Sequence, residues 1–86
     1  MLVSNINNRP NQFIIENGKE TYFQSYDSII AKVIDNDFNP DTVYLDEKYW
    51  NYSKTTSKYR NIFLNMTTKE IEKHIKNGFI QLTNLN

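Results

Sequence analysis

The sequence contains no cysteine, and it has only two glycines, two prolines and one histidine among 86 residues. The lack of cysteine excludes disulfide frameworks, thiolate catalysis and zinc sites with cysteine ligands. No run of apolar residues approaches the roughly 18 that are needed to cross a bilayer, and the N-terminus lacks a basic segment followed by an apolar one. We therefore expect a soluble, cytoplasmic protein with no membrane partner.

The chain also has no excess of either charge, because ten basic residues balance ten acidic ones. Aromatic residues make up 14% of the chain, and their large buried area favours an ordered protein over a disordered one. A chain of this length is expected to form one domain with a small core. We predict a single domain over residues 12–86, preceded by a flexible arm over the polar, asparagine-rich residues 1–11.

The first half of the chain has the composition of β-strands. Strand-favouring runs flank Asn17-Gly18, a strong hairpin signal because the tight turn needs positive φ. A two-residue loop at Asn17-Gly18 would set Ile15 opposite Glu20, whereas a four-residue loop would set it opposite Tyr22. Further strands are predicted over residues 29–34 and 42–45. These runs predict a meander of three to four strands.

The second half changes to helical periodicity. An apolar stripe at helical spacing consists of Tyr59, Ile62, Phe63 and Met66. Ser53, Thr55 and Thr56 are the alternative residues that could cap the start of this helix.

A second helix is predicted by a capping box from Thr67 to Glu70, and it ends at Gly78. Residues 79–83 are predicted to form a last strand. This order predicts an α+β fold, in which an antiparallel β-meander is followed by two helices and a final strand. Both helices are expected to pack on one face of the sheet.

Few residues could carry chemistry. His74 has no cysteine or second histidine to join it in a metal site and no positioned nucleophile beside it, so we interpret it as an ordinary helix residue. The loop 35–41 places oxygen ligands at alternating positions, as calcium loops do, but Pro40 occupies the position that requires glycine. We interpret the loop as a solvated turn, and we expect no catalytic residue, no cofactor and no bound metal.

The densest aromatic cluster runs from Tyr44 to Tyr52 and lies beside several basic residues. One interpretation is that the rings cover the sheet and pack against the first helix. The other is that some of them form a binding surface, since aromatic and basic residues together suit single-stranded nucleic acid. The candidates for partner contact in this region are the basic residues Lys54, Lys58 and Arg60, with Tyr52 as an aromatic anchor.

The charges are distributed unevenly along the chain. Residues 1–47 hold eight acidic and three basic residues, whereas residues 48–86 hold two acidic and seven basic ones. If the two halves occupy different faces, the resulting field would steer association with charged partners; otherwise these residues simply cover a small surface. The acidic candidates for partner contact are Glu16, Asp35, Asp37 and Asp41.

Several segments resemble, in order, their counterparts in a group of small phage and prophage proteins. Residues 23–31 read FQSYDSIIA, residues 43–45 read VYL, and residues 49–59 read YWNYSKTTSKY. The group shows an SY…IA turn, a strand, and a YS…TT…KY sequence that opens a helix. The resemblance covers most of residues 11–86 and implies a viral or mobile-element origin together with an α+β shape.

Small phage proteins of this kind resemble anti-CRISPR proteins in size, charge asymmetry and lack of catalytic apparatus. The resemblance implies a non-enzymatic protein that binds and inhibits a bacterial defence complex, as an anti-CRISPR acting on a CRISPR effector nuclease or its guide RNA. The acidic half could occupy a basic channel of the nuclease, with its carboxylates in place of phosphates. Alternatively, the basic helices could bind guide RNA. The alternative is a phage accessory protein that binds single-stranded DNA or RNA directly. We expect a monomer or a small homo-oligomer.

Overall fold

The computed structural model describes all residues, Met1–Asn86. The strands are β1 (Leu2–Asn5), β2 (Gln12–Asn17), β3 (Glu20–Ser25), β4 (Ser28–Asn36), β5 (Asn39–Asp46) and β6 (Ile80–Thr83), and the helices are α1 (Lys54–Leu64) and α2 (Thr68–Asn77). The first five strands form an antiparallel meander, and β6 pairs in parallel with β5. The predicted α+β fold is therefore confirmed, with a meander of five strands instead of three to four.

The additional strand lies in residues 1–11, which we predicted as a flexible arm. Leu2–Asn5 pair with β2, and a short helical turn at Ile6–Asn8 then buries Ile6 in the core. Asn7 and Asn8 both have positive φ, a conformation that asparagine tolerates better than most residues. The asparagines that suggested a loose segment therefore belong to the turn that connects β1 to its partner strand β2.

The β2–β3 hairpin has a two-residue loop, Gly18–Lys19. Ile15 lies opposite Tyr22, the pairing that we associated with a longer loop. The loop is shifted by one residue from the predicted position because Gly18, with φ of 64°, follows the last strand residue Asn17 and starts the turn. The hairpin was therefore predicted correctly, and its turn lies one residue later.

The ends of both helices follow from local side-chain chemistry. The Ser53 hydroxyl accepts a hydrogen bond from an amide in the first turn of α1. Thr67 and Glu70 form the predicted capping box of α2, and Gly78 ends that helix with φ of 85°. Neither helix is long or apolar enough to span a bilayer.

Both helices pack on one face of the sheet, as predicted. Phe63 of α1 stacks on Phe23 of β3 with ring centroids 5.7 Å apart, and the hydroxyls of Thr56 and Ser25 are hydrogen-bonded at 2.8 Å. Strand and helix residues share one buried cluster, made of Ile6, Phe23, Ile30, Ala31, Val43, Leu45, Tyr59, Ile71 and Ile80.

The other face of the sheet has no helix against it. Side chains alternate along a strand, so the residues between core positions point away from the helices. On the four central strands these side chains are half-buried by one another, and most are aliphatic or aromatic. They are Phe13, Ile15, Tyr22, Gln24, Ile29, Lys32, Ile34 and Tyr44, and we term them the open face.

Candidate functional site

The turns of two hairpins lie side by side at one end of the sheet. The amide of Asp35 donates to the carbonyl of Lys19 at 2.8 Å, and the Lys19 ammonium forms a salt bridge with Asp37. The β4–β5 hairpin closes through a two-residue turn, Asp37–Phe38. The turn is exposed, as predicted, but it is shorter than the predicted loop 35–41, because β4 continues to Asn36 and β5 begins at Asn39. No group of three or more acidic or histidine side chains is placed to hold a metal ion.

All four acidic candidates lie at this end and are exposed. The Asp35 carboxylate accepts a hydrogen bond from the amide of Asp37 at 2.9 Å, and Asp37 is paired with Lys19. Glu16 and Asp41 make no side-chain hydrogen bond or salt bridge, so their charges face solvent unpaired. We term the surface formed by Glu16, Lys19, Asp35, Asp37, Phe38 and Asp41 the hairpin end.

Phe38 is the residue at the hairpin end that sequence reasoning missed. Its side chain has a relative exposure of 105%, the highest of any large hydrophobic residue in the chain. Single exposed apolar residues are common, but this ring stands at the tip of a short turn between carboxylates. Exposed aromatic residues in such positions have the character of interface anchors. An apolar residue inside an otherwise polar turn sequence was the signal that could have identified it.

The aromatic candidate Tyr52 and the basic candidate Lys54 lie close together at the start of α1. Tyr52 and Lys54 line one shallow depression beside the helix N-terminus, and Tyr52 also makes an edge contact with Tyr49, with centroids 5.5 Å apart. Lys58 is exposed one turn further along, and its ammonium lies 5.5 Å from the centre of the Tyr59 ring. Neither lysine forms a salt bridge. Tyr52 and two of the three basic candidates are therefore available to a partner.

Arg60, the third basic candidate, is completely buried. Its guanidinium lies 5.3 Å from the centre of the Trp50 ring. Its hydrogen bonds go to uncharged oxygens, those of the Trp50 carbonyl, Asn51, Asn61 and Thr68. Burial lowers the pKa of Arg60, although the charge of Glu72 opposes that shift. Arg60 offers no surface to a partner, which removes it from the predicted contact set.

Asp46 is a second buried charged residue. Its carboxylate accepts hydrogen bonds from the backbone amides of Lys48, Tyr49 and Leu85 and from the side chain of Asn86. Burial alone would raise its pKa, but these hydrogen bonds together hold the pKa below its usual value. Asp46 joins the end of β5 to the following loop and to the segment after β6.

Three further exposed basic residues lie on α2, whereas the exposed Arg9 and Lys48 lie outside the helices. Lys69, Lys73 and Lys76 line one open depression together with Glu72 and Asn77, and none of these lysines forms a salt bridge. Exposed lysines thus concentrate on the helices, whereas the acidic candidates concentrate at the hairpin end.

His74, also on α2, is half-buried, with its ring 5.1 Å from that of Phe79. It occupies the ordinary helix position that we expected.

One family profile covers nearly the whole chain, from residue 2 to residue 80. The chain belongs to DUF8033, a family of unknown function. No curated protein and no solved structure matches it. The matched range of this DUF8033 protein includes the hairpin end, the open face and both helices, and it assigns an activity to none of them.

Proposed function

We propose that this DUF8033 protein acts by binding a macromolecule and that the hairpin end is the surface that docks. The observation that carries the proposal is the full exposure of Phe38 at the tip of the β4–β5 turn. Binding energy at protein interfaces is concentrated in a few large side chains that fill pockets on the partner. An exposed ring adds no burial to this fold, so we infer that its pocket is on the partner.

The charges around Phe38 define the chemistry of that partner. Glu16 and Asp41 are exposed and unpaired, and Asp35 adds a further exposed carboxylate. Complementary potentials speed association and favour the matching partner. We therefore propose an apolar pocket rimmed by basic residues, of the kind that lines a nucleic-acid channel, with the carboxylates in the places of phosphates.

In biological terms, we propose a phage-encoded, non-enzymatic inhibitor of a bacterial defence complex that works in the host cytoplasm. The partner would be a CRISPR effector nuclease, whose basic channel the hairpin end would occupy. The resemblance to small phage proteins and the exposed acidic end support this proposal. Binding of guide RNA by α1 has less support, because Arg60 of that helix is buried in the protein.

The proposal is tested by measuring DNA cleavage by a panel of CRISPR effector nucleases, and their affinity for the protein. Phe38→Ser removes the ring, and the double substitution Glu16→Gln/Asp41→Asn removes two charges that make no internal bond. Ile62→Ser is a matched exposed apolar control, and Asp27→Asn removes an exposed charge at the opposite end of the sheet. The proposal is supported if Phe38→Ser and the double variant lose inhibition while both control variants keep it. Absence of binding to every effector, or equal loss in the controls, rejects it.

A second candidate function is direct binding of single-stranded DNA or RNA through α2. The observation in its favour is the alignment of Lys69, Lys73 and Lys76 along one depression with no carboxylate in salt-bridge distance. Each phosphate neutralised would add about 0.7 to the slope of log affinity against log salt for single strands. Mobility-shift titrations at two salt concentrations test it, with Lys69→Gln/Lys73→Gln as the variant and Lys19→Gln as the control.

A further inference from the structure

The open face is organised in rows that run across the strands. The strand registers place Val3, Ile15, Tyr22, Lys32, Tyr44 and Gln81 side by side, so this central row crosses the whole six-stranded sheet. The rows on either side consist of Asn17, Glu20, Ile34 and Thr42, and of Asn5, Phe13, Gln24 and Ile29. Four of the six row ends are polar, and five of the eight positions between them are aliphatic or aromatic; the polar residues between them are Glu20, Gln24 and Lys32.

The charges on these rows cancel one another. Glu20 and Lys32 are the only charged residues in them, and their side chains form a salt bridge of 3.3 Å. The Tyr22 hydroxyl donates to Glu20 at 2.8 Å, and the Lys32 ammonium lies 5.5 Å from the Tyr22 ring centre. The face therefore has no net charge and no unpaired cation. Surfaces that bind single-stranded nucleic acid require such cations along the backbone path, so this face suits a neutral, apolar partner surface.

We infer that the partner surface is the open face of a second copy of this chain, packed sheet against sheet. A two-fold axis brings identical patches together, so a neutral and internally paired patch is complementary to itself. Facing sheets pack about 10 Å apart with interdigitating side chains, which would bury Ile15, Tyr22 and Tyr44 against their counterparts. The monomer has only nine buried hydrophobic residues in its core cluster, and such small chains gain most from additional burial.

The size of the face predicts the strength of the association. Strands about 4.8 Å apart and rows about 6.7 Å apart give roughly 500 Å² of face in each copy. Two such faces reach about 1,000 Å², the lower limit of specific interfaces. We therefore expect a dimer that dissociates on dilution. Phe38 stands at the end of the sheet, outside the packed area, so self-association and docking of the hairpin end are independent and separately testable.

Sedimentation equilibrium from low micromolar to near-millimolar concentration tests the inference. The wild-type protein should pass from monomer to dimer over this range. Ile15→Glu and Tyr44→Glu place a charge on the face and should remain monomeric, whereas Ile62→Glu, on the exposed side of α1, should behave as wild type. Circular dichroism and thermal unfolding check that each variant is folded. A wild-type protein that stays monomeric, or dimers of unchanged strength in both face variants, would overturn the inference.

A dilution series followed by NMR needs no variant and identifies the surface directly. Aromatic signals of Tyr22 and Tyr44 and the methyl signals of Ile15 should change with concentration, because these groups enter the interface. Signals of Phe63 and Ile71, in the core on the helix side, should not change. Changes restricted to the backbone amides of β1 or β6 would show pairing at the sheet edges and would contradict face-to-face packing.

Discussion

The guanidinium of Arg60 lies over the Trp50 ring, with its carbon 5.3 Å from the ring centre, and it also donates to the Trp50 carbonyl. This one side chain connects the loop before α1 to that helix, and its bond to Thr68 extends the connection to α2. The fold therefore separates the aromatic and basic residues between Tyr44 and Arg60 into a buried group and a surface group. Arg60 and Trp50 form internal contacts, whereas Tyr52 and Lys54 remain on the surface.

Arg60→Gln is expected to lower the free energy of unfolding by about 3 kcal/mol, because it removes one partner from a buried polar network. Arg60→Lys should recover only part of this loss, since an ammonium cannot reproduce the donors of a planar guanidinium. Urea denaturation measures the change. Lys58→Gln, an exposed neighbour on the same helix, should stay within about 0.5 kcal/mol of wild type. Equal small effects for Arg60→Gln and Lys58→Gln would show that the buried network contributes little.

The depressed pKa of Asp46 predicts a loss of stability in acid. A carboxyl group with a lower pKa in the folded state stabilises the fold above its unfolded pKa, near 3.9, and this contribution disappears as the pH falls through the folded pKa. Thermal unfolding as a function of pH should therefore show a decline that begins near pH 5. Asp46→Asn should be less stable at neutral pH and less sensitive to acid. Asp27→Asn, which changes an exposed carboxylate, should keep the wild-type profile; a wild-type profile for Asp46→Asn would contradict this assignment.

The capping box of α2 predicts a local effect on stability. Thr67→Ala removes the hydroxyl that accepts from the Glu70 amide, and we expect a loss of about 1 kcal/mol. Thr55→Ala in the first turn of α1 is the matched control, because the Thr55 hydroxyl makes no hydrogen bond and is exposed. Differential thermal unfolding of the two variants is the measurement. A larger loss for Thr55→Ala would mean that the helix starts differ from those described.

Gln12 is buried at 2% exposure, and its side-chain oxygen has no hydrogen-bond partner. An unsatisfied buried acceptor costs about 1–3 kcal/mol, so Gln12→Met should leave stability unchanged or raise it by about 1 kcal/mol. Ser25→Ala provides the contrast, because Ser25 is equally buried but hydrogen-bonded to Thr56. Its loss should lower stability by about 1 kcal/mol. Chemical denaturation that shows a marked loss for Gln12→Met would reveal a partner for the Gln12 amide.

Most of the fold was predictable because its signals are short-range. A capping box and a glycine after a helix act within a few residues, so Thr67 and Gly78 were recognised correctly. The apolar stripe predicted α1 itself, but its member Ile62 is 44% exposed and Met66 lies beyond the end of the helix at Leu64. Strand β1 was missed because it is an edge strand whose four residues are all exposed. Its four residues pair with β2, and their composition does not indicate this pairing.

The candidate site was less predictable than the fold. The acidic candidates were visible in the sequence by their charge, but only the fold shows that two hairpin turns bring them to one end of the sheet. Phe38 and the open face were missed, since an apolar residue in a sequence suggests burial unless the packing is known. Arg60 was misplaced for the opposite reason, because a charged residue suggests exposure.

Apart from β1, the sequence by itself determined which segments are strands and helices, their order, and the overall balance of charge, because these depend on propensity, periodicity and composition. Only the tertiary structure decided which side chains are inside and which are outside. Burial results from contacts between residues far apart in the chain, such as Arg60 with Trp50 or Asp46 with Leu85. For the same reason, only the folded sheet reveals which apolar and aromatic side chains lie on the face that no helix covers.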